Sequence, residues 1–296
     1  MLTLFAVPKP FDGHIGLIQR NAIAAWARLG HGAEVLLFGD EPGTADVARE
    51  YGLRHVPGVA CNPRGTPLVS DLFAQAIRLA SQPVLVYANA DIILTGDLPL
   101  AVARVRAYDR FLLCGRRWNL SVDAPLDFAD GWEDRLRTAV LRDGALAIPG
   151  AIDYFAFPRT LFGAIPPFTV GRIEWDQWLL FRARALGAAL IDATACVLAV
   201  HQNHDYAHLS DAPRADVEDE IDANRALALF HRLDLRDATH LLTTGGMRRA
   251  LDGRHLTRWA LSLPKFYLPP TPAVRAVYRF WRRRVRGFPV SGGLPG

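Results

Sequence analysis

Pro83-Val-Leu-Val-Tyr-Ala-Asn-Ala-Asp-Ile-Ile-Leu94 is the stretch of sequence that decides the fold. Its apolar residues, rich in Val and Leu, are typical of a buried strand in a parallel sheet. The run delivers Asn89 and Asp91 at its carboxyl end, and open α/β sheets bind ligands outside the carboxyl ends of their strands. Oxygen ligands of this kind suit a hard divalent cation that carries a diphosphate. A polar turn that ends the strand is the simpler alternative.

Strands and helices alternate along the chain on both sides of this stretch. The predicted strands are Leu2–Val7, Ala33–Phe38, Leu53–Val56, Phe111–Arg116, Tyr154–Pro158 and Leu190–Val200. The predicted helices are Ile15–Leu29, Thr44–Tyr51, Pro67–Ala80, Trp132–Arg142, Trp175–Leu186 and Val217–Leu233. The alternation predicts an α/β fold with a doubly wound, mostly parallel central sheet.

Charge divides the chain into two parts. No Asp or Glu follows Asp252, and the segment after it holds nine Arg or Lys, which leaves 25 basic and 30 acidic residues before it. We predict one domain over residues 1–250 and a basic, Pro-containing C-terminal extension over residues 251–296, in which Leu263–Thr271 separates the domain from the tail. Because the predicted domain is acidic, the sequence argues against a nucleic-acid partner.

Composition also bears on location. Three cysteines are too few for a disulfide framework, and the apolar N-terminus lacks the basic segment of a signal peptide. We therefore predict a cytoplasmic protein. Residues 271–288 have the pattern of a basic amphipathic helix, which indicates either peripheral contact with the inner face of a membrane or a terminus that is solvated or docked on the domain.

The motifs of several enzyme classes do not occur: there is no Gly-x-Gly-x-x-Gly, no Walker-type loop and no Gly-x-Ser-x-Gly. Polar groups instead follow the predicted strands. They are Pro8-Lys9-Pro10, Asp40-Glu41, Asn62-Pro-Arg64, Asn89-Ala-Asp91, Gly115-Arg116-Arg117, Asp153, Glu174-Trp-Asp176-Gln-Trp178 and His201-Gln-Asn203-His204.

This ordered set resembles the GT-A class of nucleotide-sugar glycosyltransferases, and within it the family-2-like transferases of bacteria, over roughly residues 2–242. The resemblance implies a GT-A fold and transfer of a sugar from a nucleotide-diphosphate sugar to an acceptor hydroxyl, assisted by Mn²⁺ or Mg²⁺. Inversion at the anomeric carbon is the expected outcome, and retention is the alternative that stays open. The acceptor class stays open among glycans, lipid-linked sugars and small molecules. Asn89 and Asp91 occupy the positions of the family's Asp-x-Asp element, whose first acid is here an amide.

The resemblance also implies which residues bind the donor. Pro8, Asp40 and Glu41 match the positions that hold the nucleotide, although a polar turn is an equal interpretation of the two acids. Arg64 lies in a Gly-containing loop before a helix and suits a phosphate contact, or is an exposed loop arginine. Arg116 and Arg117 are predicted to neutralise phosphate, or to be surface charges.

The acceptor side is predicted around residues 174–178. The resemblance places Asp176 as general base, with Glu174 as the weaker candidate, because an inverting transfer needs a carboxylate within reach of the acceptor hydroxyl. Trp175 and Trp178 are predicted to stack on a sugar, and Asp153 to contact one. A helix-capping role for Asp176 is the alternative.

Histidines follow the last predicted strand. His201 and His204 match the place where some GT-A enzymes supply a third metal ligand, and a zinc site is the rival interpretation. Two other functions remain open. A sugar-phosphate nucleotidyltransferase would need a Gly-rich basic loop after the first strand, and a catalytically silent sugar- or membrane-binding protein would explain Asn89.

Overall fold

A nine-stranded sheet and a four-stranded sheet form the framework of the computed structural model, which describes residues 1–30, 32–204, 214–269, 271–274 and 276. The strands are β1 (Leu2–Ala6), β2 (Glu34–Phe38), β3 (Arg54–Val56), β4 (Val84–Ala88), β5 (Ile92–Leu94), β6 (Phe111–Cys114), β7 (Trp118–Leu120), β8 (Ala145–Leu146), β9 (Tyr154–Pro158), β10 (Ala189–Asp192), β11 (Ala199–Gln202), β12 (His240–Thr243) and β13 (Gly246–Arg249). The large sheet has the order β13-β12-β10-β6-β9-β4-β1-β2-β3, and the small sheet has the order β5-β11-β7-β8.

Helices cover both faces of the large sheet. They are α1 (Gly13–Trp26), α2 (Thr44–Glu50), α3 (Val69–Leu79), α4 (Asp97–Val105), α5 (Trp132–Asp143), α6 (Trp175–Ala185), α7 (Arg214–Ala228) and α8 (Gly253–Tyr267). Side chains of β1 alternate between two apolar cores: Leu4 packs in the core that contains Trp26, and Phe5 packs in the core that contains Phe73. This alternation is the period-two pattern of a strand buried on both faces.

The deciding stretch is two strands rather than one. The chain leaves the large sheet after β4, turns at Asn89–Asp91, and enters the small sheet as β5, where Ile92 N–H donates to the carbonyl of Asn89 (3.1 Å). The predicted strand Leu190–Val200 is divided in the same way between β10 and β11. Polar residues mark both divisions, Asn89 and Asp91 in the first stretch and Asp192 and Thr194 in the second.

Strand direction fits the predicted mostly parallel sheet, with two exceptions. β9 pairs antiparallel with both β4 and β6, and β13 pairs antiparallel with β12. Because β9 runs opposite to β4, the start of β9 lies at the sheet edge where β4 ends. The structure adds α4, β7, β8 and the β12–β13 hairpin, which the sequence pattern did not predict. It also places α8 in the C-terminal extension, before the predicted tail helix.

The C-terminal part of the described chain packs on the sheet domain. α8 runs through Pro264 and so includes part of the segment that was predicted to separate the domain from the tail. Most of the predicted tail helix lies outside the described residues. Among the residues that the structure does describe, no helix is both long and apolar enough to cross a membrane.

Candidate active site

The fold gathers the predicted polar groups at one edge of the large sheet. β1 and β4 are parallel neighbours, so Lys9 and Asp91 both follow strand ends at this edge. Asp153 arrives at the same edge because it precedes the antiparallel strand β9, and its carbonyl accepts the N–H of Asn89 (3.0 Å). This is the edge at which open α/β sheets bind ligands.

Asp91, His201 and His204 form a cluster at the turn between β4 and β5. Nε2 of His204 lies 3.2 Å from Oδ2 of Asp91, and Nε2 of His201 lies 3.6 Å from the same oxygen. The potential ligand atoms of the three residues lie within 4.8 Å of one another. The structure therefore brings together both histidines and the carboxylate that the sequence predicted as metal ligands.

Buried contacts fix this cluster. Gln202 is fully buried, and its Nε2 donates to the carbonyls of Asp91 (3.0 Å) and Ile18 (2.7 Å). The indole N–H of Trp26 donates to the carbonyl of Ile92 (2.9 Å) directly after the turn. The backbone on both sides of the carboxylate is thus held by side chains from α1 and β11.

The cluster has the donor chemistry of a divalent metal site. Burial alone would raise the pKa of Asp91, but His204, His201 and Lys9 hold that pKa below its ordinary value, so the carboxylate is charged. Burial lowers the pKa of His201 to about 4, which keeps its imidazole neutral, the form that binds metals. Oδ1 of Asp91 and Nδ1 of His201 are buried without a hydrogen-bond partner among the described residues. A buried carboxylate oxygen without a hydrogen-bond partner suits a metal ligand.

Asn89 does not add a ligand to this cluster. Its Oδ1 accepts the hydroxyl proton of Tyr87 (2.8 Å), and its Nδ2 donates to Oδ1 of Asp153 (2.8 Å). An aspartate at this position would place a second carboxylate against Asp153. The amide therefore explains the departure from Asp-x-Asp, because it satisfies Asp153 instead of binding metal.

Asp153 is a buried acid at the centre of the site. Nη1 of Arg117 donates to its Oδ2 (2.8 Å), and the two side chains are 18% and 11% exposed. Burial raises the pKa of Asp153, and the nearby charge of Asp91 raises it further, although Arg117 opposes the shift. Of the two adjacent arginines, Arg116 and Arg117, it is therefore Arg117 that contacts the site.

Asp176 joins the same electrostatic cluster from α6. Burial raises the pKa of Asp176 to about 7, and the charges of Asp153 and Glu174 add to the increase. Its Oδ1 has no hydrogen-bond partner among the described residues. Asp176 lies in the first turn of α6, directly after the N-cap residue Glu174 and Trp175, and backbone hydrogen bonds from Gln177 and from Asp176 itself oppose the rise of its pKa. The carboxyl therefore interacts with N–H groups at the helix start, and this interaction is compatible with a role as base. A buried carboxyl that titrates near neutral pH suits a general base.

Glu174 forms an ion pair with Arg232. Its side chain is 6% exposed, and both carboxylate oxygens accept from Nη1 of Arg232. The residue has φ of 96°, in the left-handed region that costs a non-glycine residue about 1–3 kcal/mol. The buried pair holds this backbone at the start of α6, directly before Asp176. The contacts support a positioning role for Glu174 rather than that of a base.

The Glu174–Arg232 pair gives a stability prediction. Arg232→Met should lower the free energy of unfolding by about 3 kcal/mol, because it leaves a buried carboxylate without its main partner. Urea denaturation at neutral pH measures the loss. The matched control is Arg225→Met: Arg225 lies 3.7 Å from Glu174 and is 54% exposed, so its replacement should cost less than about 1 kcal/mol. Equal losses in the two variants would contradict the assignment.

The two tryptophans of the predicted sugar platform are core residues. Trp175 is 5% exposed and packs edge-on against Tyr87 (5.1 Å between ring centroids). Trp178 is 8% exposed and packs against Phe168 (5.3 Å). Neither indole has a free face for a sugar ring. Both lie on the inner side of α6, where apolar contact with the sheet explains their place in the sequence.

Two predicted phosphate-binding arginines are engaged elsewhere. Arg64 donates to Asp216 (3.2 Å) and Asp219 (2.7 Å) of α7. Arg116 donates through Nε to the carbonyl of Ala147 (2.5 Å), and burial lowers its pKa. Local sequence did not reveal these partners, which lie far along the chain or belong to the backbone.

The predicted nucleotide-binding residues lie along the same sheet edge. Asp40 is exposed after β2, and its Oδ2 accepts the N–H of Gly58 (2.9 Å). Glu41 is half-buried beside it, and Pro8 is buried after β1. Lys9 is held by Gln19, which accepts its backbone N–H (2.7 Å). Burial lowers the pKa of the Lys9 amine, and the charge of Asp91 opposes that shift.

Four residues that support the site were not predicted from the sequence. Tyr87 and Gln202 hold Asn89 and Asp91, Arg232 pairs with Glu174, and Glu220 of α7 accepts from Arg172 (2.7 Å). A buried glutamine within the apolar strand β11 was the one signal in the sequence, since a buried amide needs partners.

Neither a protein-family model nor a curated protein sequence matches the chain. Solved structures do match. S. aureus TarS 1–349 in complex with UDP-GlcNAc is 13% identical with a TM-score of 0.50, and the match covers 79% of this chain and 68% of TarS. M. tuberculosis glucosyl-3-phosphoglycerate synthase is 16% identical with a TM-score of 0.49, covering 78% and 80%.

A third match is the mannosyltransferase PcManGT from Pyrobaculum calidifontis in complex with GDP-Man and Mn²⁺, with 14% identity, a TM-score of 0.44 and coverage of 96% and 80%. The likeness to TarS shows the fold, and the predicted GT-A fold with its mostly parallel central sheet is confirmed. Membership of family 2 stays a prediction.

Proposed function

We propose that the protein is a metal-dependent glycosyltransferase that moves a sugar from a nucleotide-diphosphate sugar to an acceptor hydroxyl. The observation that carries the proposal is the Asp91–His201–His204 cluster at the sheet edge that also holds Asp153 and Asp176. A metal-type donor set and a carboxyl that titrates near neutral pH serve the two halves of this reaction, departure of the diphosphate and deprotonation of the acceptor.

Each half of the site has its own task. Asp91, His201 and His204 would hold Mn²⁺ or Mg²⁺, which supplies Lewis-acid stabilisation of the leaving diphosphate. Lys9 would add positive charge beside the same phosphates. Asp176 would take the proton of the acceptor hydroxyl as that oxygen attacks the anomeric carbon, while the bond from that carbon to the diphosphate breaks. Asp153 would hold the sugar through the oxygens that Asn89 and Arg117 orient.

Fold and chemistry support this proposal over its rivals. The chain shares its fold with TarS, which was solved with a nucleotide sugar bound. The loop after β1, Pro8-Lys9-Pro10-Phe11, lacks the Gly-rich basic pattern of a nucleotidyltransferase. The best support for a catalytically silent protein is the amide at position 89. The hydrogen bond from Asn89 to Asp153 gives that amide a structural role instead. An inverting outcome is proposed because Asp176 suits a base and no second carboxylate is needed as nucleophile.

Several finer points belong to the same proposal. The acceptor is a glycan, a lipid-linked sugar or a small molecule, and the enzyme works in the cytoplasm. The domain boundary at residue 250 remains a prediction. Membrane contact through the basic tail is also a prediction, because the residues after Ala276 lie outside the part of the chain that the structure describes.

The experiment is turnover of a panel of nucleotide sugars by the full chain with Mn²⁺, measured as release of nucleoside diphosphate with and without candidate acceptors. We expect release from one class of donor, dependent on metal. A protein that cleaves no donor of the panel, with metal and acceptors present, would overturn the enzymatic proposal in favour of the silent protein. Incorporation of nucleotide from a nucleoside triphosphate would favour the nucleotidyltransferase.

The pKa of Asp176 gives a prediction for the pH profile. Because a base must be deprotonated to act, the rate should rise with pH through about 7 and level off above it. One unit below that pKa, about a tenth of the carboxyl is ionised and about a tenth of the plateau rate should remain. The measurement is kcat as a function of pH at saturating donor and metal. A flat profile across neutral pH would contradict the role of Asp176 as base.

A further inference from the structure

Helix α8 has its polar and apolar faces reversed relative to an ordinary surface helix. A surface helix normally buries its apolar stripe and exposes its charges. In α8 the residues that the protein buries are Ser262 and Lys265, which are 2% and 5% exposed. Large apolar side chains point away from the protein instead.

The buried face of α8 is attached through polar contacts. Nη2 of Arg258 donates to Asp237 (2.6 Å) and Asp234 (3.2 Å), and Lys265 donates to the carbonyl of Arg232. Phe266 adds one apolar contact by stacking on Phe181 (4.9 Å). These contacts orient the helix and determine which side faces out.

The outer face of α8 carries an apolar stripe. Leu256, Trp259, Ala260, Leu263 and Tyr267 follow the i, i+3, i+4, i+7, i+11 pattern, so they share one side of the helix. Leu256, Trp259 and Tyr267 are 48%, 50% and 79% exposed. Leu251 before the helix and Leu268 after it are also exposed, at 61% and 47%. A contiguous exposed patch of this kind marks a binding surface.

Basic residues outnumber acidic ones at the N-terminal end of the stripe. Arg248, Arg249 and Arg254 are exposed immediately before and at the start of α8. Asp252 caps the helix by accepting from the N–H groups of Arg254 and His255, and no acidic residue follows it in the sequence. The stripe is therefore an apolar surface whose N-terminal end carries a net positive charge, which we call the cationic rim.

We propose that this stripe docks on an anionic lipid surface, with α8 lying in the plane of the interface. Leucines that enter the acyl boundary, Trp and Tyr at the headgroup level and arginines at the rim are the features of interfacial helices. A second copy of this chain fits less well, because it would bring one cationic rim against another. The apolar stripe of α8 is a different surface from the predicted tail helix at residues 271–288. Lipid binding by the stripe does not depend on the proposed glycosyltransferase reaction.

The test is vesicle flotation of the full chain with phosphatidylcholine vesicles, with and without phosphatidylglycerol. We expect binding to the anionic vesicles, and a partition coefficient lowered at least about ten-fold in Leu256→Ser/Trp259→Ser, because two side chains lose apolar burial. Arg248→Gln/Arg254→Gln should weaken binding at low salt and reduce its salt dependence. The matched control is Leu141→Ser on α5. Leu141 is 73% exposed, and its replacement should leave vesicle binding unchanged.

Several results would overturn the inference. They are absence of vesicle binding by the wild type, equal binding by the Leu256→Ser/Trp259→Ser variant, and reversible self-association that this variant abolishes while vesicle binding persists. Should the double variant fail to fold, brominated lipids give a second test. They should quench the fluorescence of the wild type more than that of Trp259→Phe, and equal quenching would argue against insertion of Trp259.

Discussion

An Asp176→Asn variant should lose about 10²–10⁴-fold in kcat, because general base catalysis contributes about that much to a rate. The amide keeps the shape of the side chain in the first turn of α6 but does not accept a proton. Donor binding depends on the other side of the site, so the KM for the nucleotide sugar should change little. Steady-state kinetics with metal and saturating acceptor measure both quantities.

Stability provides the control for this variant. The folded protein raises the pKa of Asp176 from 3.8 to about 7, so its neutral form is favoured by the fold. The protonated carboxyl therefore contributes to the free energy of unfolding. This contribution is fully present below the pKa of the unfolded state, and it is lost as the pH rises through about 7. The asparagine variant should therefore be at least as stable as the wild type above pH 7, by thermal unfolding. Retained kcat in a folded variant would contradict the assignment.

An Asp91→Ala variant should lose binding of Mn²⁺ together with the nucleoside diphosphate by at least about 100-fold, since even residues that only support metal ligands cost about 10–100-fold when replaced. Asp91 supplies the only carboxylate among the three clustered donors. Turnover should fall with metal binding. Calorimetric titration of Mn²⁺ into protein with diphosphate measures the affinity without relying on activity.

Matched variants separate the ligands from general charge effects. His201→Ala and His204→Ala should each weaken Mn²⁺ binding, whereas Asp127→Asn, a carboxylate whose side chain is 78% exposed, should not. Asn89→Ala should leave the direct ligands in place but release Asp153, so its effect on metal affinity should be the smaller one. Normal Mn²⁺ affinity in Asp91→Ala would remove the proposed metal site.

The sequence predicted the parts of the site that depend on strand ends. An apolar run followed by Asn89-Ala-Asp91 was enough to place β4 and the carboxylate, because parallel strands deliver their carboxyl ends to one edge. His201 in β11 and His204 directly after it were predicted as metal ligands for the same reason, and the structure brings both to Asp91.

The sequence did not predict those features of the site that depend on which residue each side chain contacts. Glu174 and Arg64 have chemistry that suits a site, but their charges are taken by Arg232 and by acids of α7. Trp175 beside Asp176 suggested a sugar platform, although an indole in the first turn of a buried helix packs in the core just as well. Such choices are settled by contacts between residues far apart in the chain.

Stabilisation of the native protein by nucleoside diphosphates, with and without Mn²⁺, tests the central claim most directly. Ligand that binds only the folded state raises the melting temperature by mass action. We predict that UDP or GDP raises the Tm only when Mn²⁺ is present, and that Asp91→Ala abolishes the increase. An unchanged Tm with every diphosphate and Mn²⁺, or an increase that persists in Asp91→Ala, would contradict a metal–diphosphate site at the end of β4.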